Sequence, residues 1–294
     1  MKLTLLALAL LLPVTHRAPT PSKPATEDPQ KTTLSLNFGV YQSDKATVMY
    51  KKLTPVLEYL QEDLERRIGR PVDLHLSIFK SYDEGIDALV KGQIDFVRFG
   101  PASYINAKGR EPRLDLIAME QENGEKRFRG VVIVRSDSPI QKLSDLKGKR
   151  FAFGDPNSTI GRYLIQAELV KAGIHASDLA GSKFLERHDK VAAAVEIGDF
   201  DAGAVATSTY EQANAKGTLR VIASFDNVTK PWVARAGFDP AVMAALRQSL
   251  LAIKDPAVLK ELKVSGFVAT SDEEYGFVRE GMKVADEFEK RPGS

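Results

Sequence analysis

Cysteine is absent from all 294 residues, which excludes a disulfide framework, a thiol nucleophile and, for the chain as written, a lipid-bearing cysteine. Histidine is scarce. His16, His75, His175 and His188 are the only ones, and no two of them share metal-ligand spacing, so a zinc hydrolase has no ligand set and no metal or other cofactor is expected. A dominant charge is missing too: 41 basic against 39 acidic residues leave a net charge of +2, without the clustered Lys and Arg that nucleic acid demands. No apolar run reaches the roughly 20 residues that span a bilayer. There is also no Gly-x-Ser-x-Gly elbow, and no phosphate-loop lysine follows the one Ser-Thr bend that opens a helix.

What is present is an ordinary globular composition, 43% hydrophobic and 27% charged, long enough for one large or two modest domains. Lys2 precedes "LTLLALALLLPV", an apolar run of the length of a secretory h-region, so residues 1–16 are expected to be a signal peptide and the protein to be exported to the periplasm, free of a lipid anchor. "RAPTPSKPATEDPQKTT" holds four prolines and no bulky apolar residue, and residues 17–33 are expected to be a flexible linker.

From Leu34 onward, strands alternate with helices. "LSLNFGV", "PVDLHLSIF" and "IDFVRFG" have the apolar character of strands, and "TVMYKKLTPVLEYLQEDLERRIG" and "YDEGIDALVKG" the helical period. The plan repeats in "GVVIVRS", "KRFAFGD", "TIGRYLIQAELVKAG", "KVAAAVEIG" and "DAGAVATS". This predicts an α/β fold of two lobes with mostly parallel sheets covered on both faces. Ser81 with Glu84 and Ser271 with Glu274 are spaced as capping boxes, and Asp239-Pro240 and Asp255-Pro256 as helix openings. "GQIDFVRFGPASY" and "GDFDAGAVATSTY" align without a gap, matching Gly92 to Gly198, Asp95 to Asp201, Ser103 to Thr209 and Tyr104 to Tyr210. Duplication and chance likeness of two βα units give the same geometry.

In such sheets ligands gather at the carboxyl ends of the strands, where helix N-termini offer free amides and a positive dipole end. Ser158 and Thr159, in "FAFGDPNSTIGRYL", stand at such a bend. Two readings are open for them: a helix N-cap, or two hydroxyls converging with backbone amides on a small oxyanion.

The chain from "NFGVYQSDK" through "GQIDFVRFGPASY", "DLKGKRFAFGDPNSTIGRYL" and "RHDKVAAAVEIGDFDAGAV" resembles the phosphate, phosphite and phosphonate substrate-binding proteins of bacterial ABC importers. The resemblance implies a two-lobed type II periplasmic-binding-protein fold, crossed twice by the chain, at "RFRGVVIVRS" and "LRVIASFDN". One lobe would comprise residues 34–129 plus 227–294 and the other 130–226. It implies a monomer that closes on a small oxyanion ligand and hands it to an ABC transporter permease, with no catalysis. Two alternatives stay open: an extracytoplasmic oxyanion sensor working with a histidine kinase, and an enzyme acting on a small phosphorylated compound.

Carried over residue by residue, the resemblance puts the anion clamp on Ser158 and Thr159, a ligand histidine on His188, and aromatics beside the ligand at Tyr41 and at Phe99 or Tyr104. His188 could equally be a cap, and the tyrosines packing residues. Arg98 either pairs within the fold or faces the anion, because an unpaired charge in an apolar strand is costly. Ser208 and Lys230 occupy regions where members that bind amine-bearing phosphonates carry acidic residues, and Asp226 and Glu211 are the remaining acidic candidates there. The neutral and basic residues favour a simple oxyanion over an aminoalkyl phosphonate.

Overall fold

The computed structural model describes residues 32–290; the expected signal peptide and nearly all of the expected linker lie outside them. In chain order the first part runs β1 (Leu34–Tyr41), α1 (Ala46–Ile68), β2 (Val72–Phe79), α2 (Tyr82–Val90), β3 (Phe96–Arg98), α3 (Pro101–Arg110) and β4 (Asp115–Gln121). The second part follows as β5 (Arg127–Arg135), β6 (Arg150–Phe153), a π-helical turn (Thr159–Leu164) leading into α4 (Ile165–Lys171), β7 (Gly181–Phe184), α5 (His188–Glu196), β8 (Ala202–Ala206), α6 (Thr207–Ala213) and β9 (Leu219–Val228). The chain then returns through β10 (Pro231–Ala234), α7 (Pro240–Ala252), α8 (Pro256–Lys260), β11 (Gly266–Val268) and α9 (Gly276–Ala285).

Two sheets result, ordered β11-β4-β10-β3-β1-β2 and β7-β6-β8-β5-β9. Strands β2, β1 and β3 are parallel, as are β7, β6 and β8, but β10 runs antiparallel to β3 and β4, and β5 antiparallel to β8 and β9. The sheets are thus mixed rather than mostly parallel, because each strand that brings the chain across enters its sheet from the opposite direction. The two crossings travel together: β5 pairs with β9 from Arg127↔Val228 to Arg135↔Leu219, and the Thr229 amide donates to the Lys126 carbonyl at 3.0 Å.

The first sheet is packed on both faces. Phe38 stacks on Trp232 at 4.8 Å, and α1 covers this face with Leu53, Val56, Leu60 and Leu64, all fully buried. Burial of each such side chain contributes roughly 1.5–3 kcal/mol. The second sheet is enclosed by Leu164, Ile165 and Leu169 on one side and Val191, Ala192 and Val195 on the other. Phe288, just past α9, packs on Phe153 of this second sheet.

The paired motifs have equivalent geometry. Asp95 and Asp201 each accept a backbone amide from the neighbouring strand, Asn37 at 2.8 Å and Arg150 at 2.7 Å, and each returns its own amide to that residue's carbonyl. Gly92 and Gly198 both hold positive φ in the turn before the strand. Asp239 and Asp255 cap their helices as expected. Ser81 accepts from the Glu84 amide, and Glu84 accepts from the Lys80 amide. The Ser271–Glu274 box does not form: Ser271 makes no capping bond to the 3-10 turn it precedes, and the Glu274 carboxylate is held by Lys126 at 2.5 Å.

Candidate functional site

The carboxyl ends of β1, β3, β6 and β8 face a cavity of about 90 Å³ between the lobes. A water takes about 30 Å³ in the liquid, so this is room for about three, the scale of a small ion. Ser158, Thr159, His188, Tyr41 and Phe99 line it, as do Arg98, Ser208 and Lys230. Tyr104 and Asp226 do not. Tyr104 is the fourth residue of α3 and points to the C-terminal segment, where its hydroxyl donates to Asp272 at 2.7 Å and its ring packs on Tyr275. Asp226 lies on edge strand β9, exposed, beside Arg129 at 3.5 Å.

The Ser-Thr bend is set by backbone packing. Gly154 ends β6 and Gly161 sits in the π turn, with the Gly154 amide donating to the Gly161 carbonyl at 2.8 Å. A Cβ on Gly161 would fall 2.7 Å from the Gly154 Cα and 3.0 Å from the Ser158 Oγ. Glycine at both positions lets the turn start against the strand and fixes where the hydroxyls stand. Gly161→Ala is therefore expected to cost about 1–3 kcal/mol of stability and to weaken ligand binding by displacing the bend; thermal melts and titration of the same sample check both.

Each hydroxyl has its acceptor side occupied by a backbone amide. Ser158 Oγ accepts from the Gly161 amide at 2.9 Å, the N-cap of the turn, and Thr159 Oγ1 accepts from the Ala102 amide at 2.9 Å, at the N-terminus of α3 in the other lobe. The proton of each remains available to an acceptor, which for Ser158 includes the adjacent Tyr82 hydroxyl. Cap and clamp are thus compatible roles, since the cap uses the lone pair and the clamp the proton.

Tyr41 is a wall of the cavity. Its ring lies between Tyr82, at 3.6 Å, and Phe99, at 5.6 Å, and its hydroxyl accepts from the Gly100 amide at 2.6 Å and shares a hydrogen bond with Ser103 at 2.9 Å. Burial raises its pKa to about 12, so it stays a neutral phenol. Arg98 donates Nε and Nη2 to the two oxygens of the fully buried Glu120 at 2.5 and 3.0 Å, and Glu120 also accepts from Trp232 Nε1 at 3.1 Å. Its charge is satisfied within the fold.

His188 opens α5, and its backbone amide donates to the Ser43 carbonyl of the other lobe at 3.1 Å. Its Nδ1 is buried and has no hydrogen-bond partner among the described residues. Burial pulls its pKa down to about 4; Asp44 opposes the shift, and Lys230 and Lys52 reinforce it. Lys230 is also pushed down by burial and by Arg98; its ammonium lies 4.3 Å from the Phe128 ring centroid and 3.8 Å from Glu122.

Between pH 6.5 and 4 the unfolded chain binds a proton at His188 that the folded protein does not, so this group stabilises at higher pH and the contribution is lost as pH falls, by on the order of 2–3 kcal/mol. Asp155, raised to about 6 by burial, titrates with the opposite sign over much of that range. The difference in unfolding free energy between wild type and His188→Gln, followed by denaturant titration, is therefore expected to shrink from pH 6.5 to pH 4.

Several cavity residues carried no signal in the sequence. Ser43, Asp44 and Lys52 surround the mouth of α1, Asp44 pairing with Lys52 at 2.8 Å, and Tyr82, Glu122, Phe128, Thr209 and Asn227 complete the walls. Only the position of "YQSDK" directly after a strand pointed to Ser43 and Asp44. Away from the cavity, Asn157 joins the lobes: it accepts from Asn106 at 3.1 Å and donates to Asp83 at 2.8 Å. Among the described residues no helix is long and apolar enough to cross a membrane, and no cluster of three His, Asp or Glu side chains could hold a metal ion.

A fold of two mixed sheets with a small polar cavity at their strand ends defines a two-lobed binding protein of the type II periplasmic class. Residues 38–275 match the family described as "ABC transporter, phosphonate, periplasmic substrate-binding protein", and the chain belongs to that family. Among curated relatives, it is 34% identical over 195 residues to the probable ABC transporter phosphite binding protein of Prochlorococcus marinus, covering 60% of this chain and 65% of that one. It is 31% identical over 150 residues to the phosphonates-binding periplasmic protein of Escherichia coli, covering 49% and 42%. A phosphate-import protein of Mycolicibacterium smegmatis is 25% identical over 193 residues, covering 60% and 58%. The chain thus spans less than two thirds of the length of these relatives.

Solved structures share the fold. PhnD1 of Prochlorococcus marinus in complex with methylphosphonate aligns with a TM-score of 0.72 at 22% identity, over 86% of this chain and 98% of that one. The binding protein component of an ABC phosphonate transporter from Pseudomonas aeruginosa aligns with 0.73 at 21% identity, over 87% of each.

Proposed function

We propose that the protein captures a small phosphorus oxyanion, phosphate, phosphite or a simple phosphonate, between its lobes in the periplasm and delivers it to the permease of an ABC importer. The observation that carries this reading is the pair Ser158 and Thr159: two hydroxyls whose lone pairs are taken by backbone amides, so that their protons serve an incoming acceptor. The unpartnered Nδ1 of His188 and the Lys230 ammonium stand on the same cavity. Four or five charge-assisted hydrogen bonds at roughly 1.5–3 kcal/mol each leave micromolar affinity after the costs of closure and desolvation. Relatives named for phosphite, phosphonates and phosphate support the same ligand class.

A simple oxyanion fits better than an aminoalkyl phosphonate, because the cavity's carboxylates already face cations: Asp44 meets Lys52, and Glu122 meets Lys230. Isothermal titration with phosphate, phosphite, methylphosphonate, 2-aminoethylphosphonate and sulfate tests this. Tight binding of one of the first three is expected. Preference for sulfate, or no binding at all, would contradict the ligand class, and preference for 2-aminoethylphosphonate would contradict the assignment of the carboxylates.

A further inference from the structure

Outside the cavity, a second concavity of about 590 Å³ opens between the first turns of α1, α6 of the other lobe, and the end of α8. Its charged lining is one-sided: Lys51, Lys52, Lys260 and Lys263 against Glu261 alone. Three of these lysines have a carboxylate partner, Lys51 with Glu261 at 3.4 Å, Lys52 with Asp44 at 2.8 Å and Lys263 with Glu211 at 4.0 Å, and Lys260 has none among the described residues. The opening of a nearly neutral chain thus keeps an excess of positive charge, centred on Lys260.

The groove also adjoins the binding cavity. Lys52 and Lys263 line both spaces, so the wall between them consists in part of two lysine side chains, Lys52 tied to Asp44 at 2.8 Å and Lys263 more loosely to Glu211. Lys263 is held in a left-handed backbone conformation, φ 58°, unusual for a non-glycine residue, and its ammonium stands 4.0 Å from Glu211 on α6. That contact reaches from one lobe to the other across the groove, and it is long enough to part without much cost.

We propose that this groove is an outer anion-collecting site, from which a small oxyanion passes into the cavity past Lys52 and Lys263. The inference rests on the ligand class proposed above and adds the route by which that ligand arrives. Lysine suits the task, since a hydrated point charge attracts an anion without the bidentate grip that would hold it outside. Residues that line only the groove should then govern the rate of arrival and leave the rate of departure alone.

Stopped-flow fluorescence with phosphate, phosphite and methylphosphonate as probes, at low and high salt, tests the route with Lys51→Gln combined with Lys260→Gln; neither residue lines the cavity. Lys171→Gln, on α4 and outside both spaces, is the control. The association rate is expected to fall about three- to tenfold in the double variant, with a flatter salt dependence, an unchanged dissociation rate and no effect in the control. An unchanged association rate, an equal loss in the control, or a change carried by dissociation would overturn the route and leave the ligand class standing. If the wild-type protein binds none of the three probes, the ligand class fails and the route fails with it.

Discussion

Ser158→Ala combined with Thr159→Val is expected to lower the affinity for the bound oxyanion by about 100-fold or more, the loss of two charge-assisted hydrogen bonds at roughly 1.5–3 kcal/mol each. The double change also removes the N-cap of the π turn and strands the Ala102 amide, so a lower melting temperature accompanies it; loss of the cap alone costs about 0.5–2 kcal/mol. Titration below the new melting transition separates the two effects. Thr159→Ser alone supplies a further check, since it keeps the hydroxyl: binding should stay within about tenfold of wild type. A double variant that remains folded and binds as tightly as wild type would reduce Ser158 and Thr159 to capping residues.

The largest effect on stability is expected at Arg98. Arg98→Met leaves the Glu120 carboxylate, fully buried between Arg98 and Trp232, without its hydrogen-bonded cation, with Lys230 acting on it only through space. Removing one partner of a buried pair costs about 3–5 kcal/mol. At about 2–4 °C per kcal/mol for a domain of this size, the melting temperature should drop by roughly 6–20 °C. Adding Glu120→Gln should recover most of the loss, because glutamine carries no charge and its side-chain oxygen still accepts from the Trp232 indole. If Arg98→Met instead melts like wild type while ligand binding disappears, the guanidinium serves the anion and the structural assignment is wrong.

Which parts of this molecule could be read from its residues follows from how local their causes are. The βα alternation was legible because burial on both faces writes itself into each strand, as in "IDFVRFG", and because Asp239 and Asp255 cap helices from one position away. The matched Asp95 and Asp201 marked two equivalent units, and their reciprocal backbone bonds show why aspartate occupies both positions. The Ser271 box failed for a tertiary reason: Lys126, 148 residues earlier, holds Glu274. The direction of β5 and β10 was equally hidden, since it depends on how the chain crosses and not on either strand's composition.

The site divides in the same way. Ser158, Thr159 and His188 stood out through their motifs, and all three line the cavity. Phe99 and Tyr104 could not be told apart in sequence. The strand end delivers Phe99 to the cavity, and the rotation of α3 turns Tyr104 toward Asp272. Of the cavity walls, Glu122 meets a partner far away in the chain, Lys230, and Asp44 meets Lys52 across the mouth of α1, a pairing that the helical period does not mark. Their pairing decides which ligand charge is tolerated, and that pairing became visible only in three dimensions.

The central claim is that an oxyanion sits between the lobes on the hydroxyls of Ser158 and Thr159 and the ring of His188. A crystal structure of the protein grown with the tightest-binding anion tests it most directly. The account expects oxygen atoms of the anion at hydrogen-bond distance from both hydroxyls and from Nδ1 of His188, with the Thr159–Ala102 contact kept. An anion bound elsewhere, or a cavity in which those three groups make no contact with it, would contradict the account.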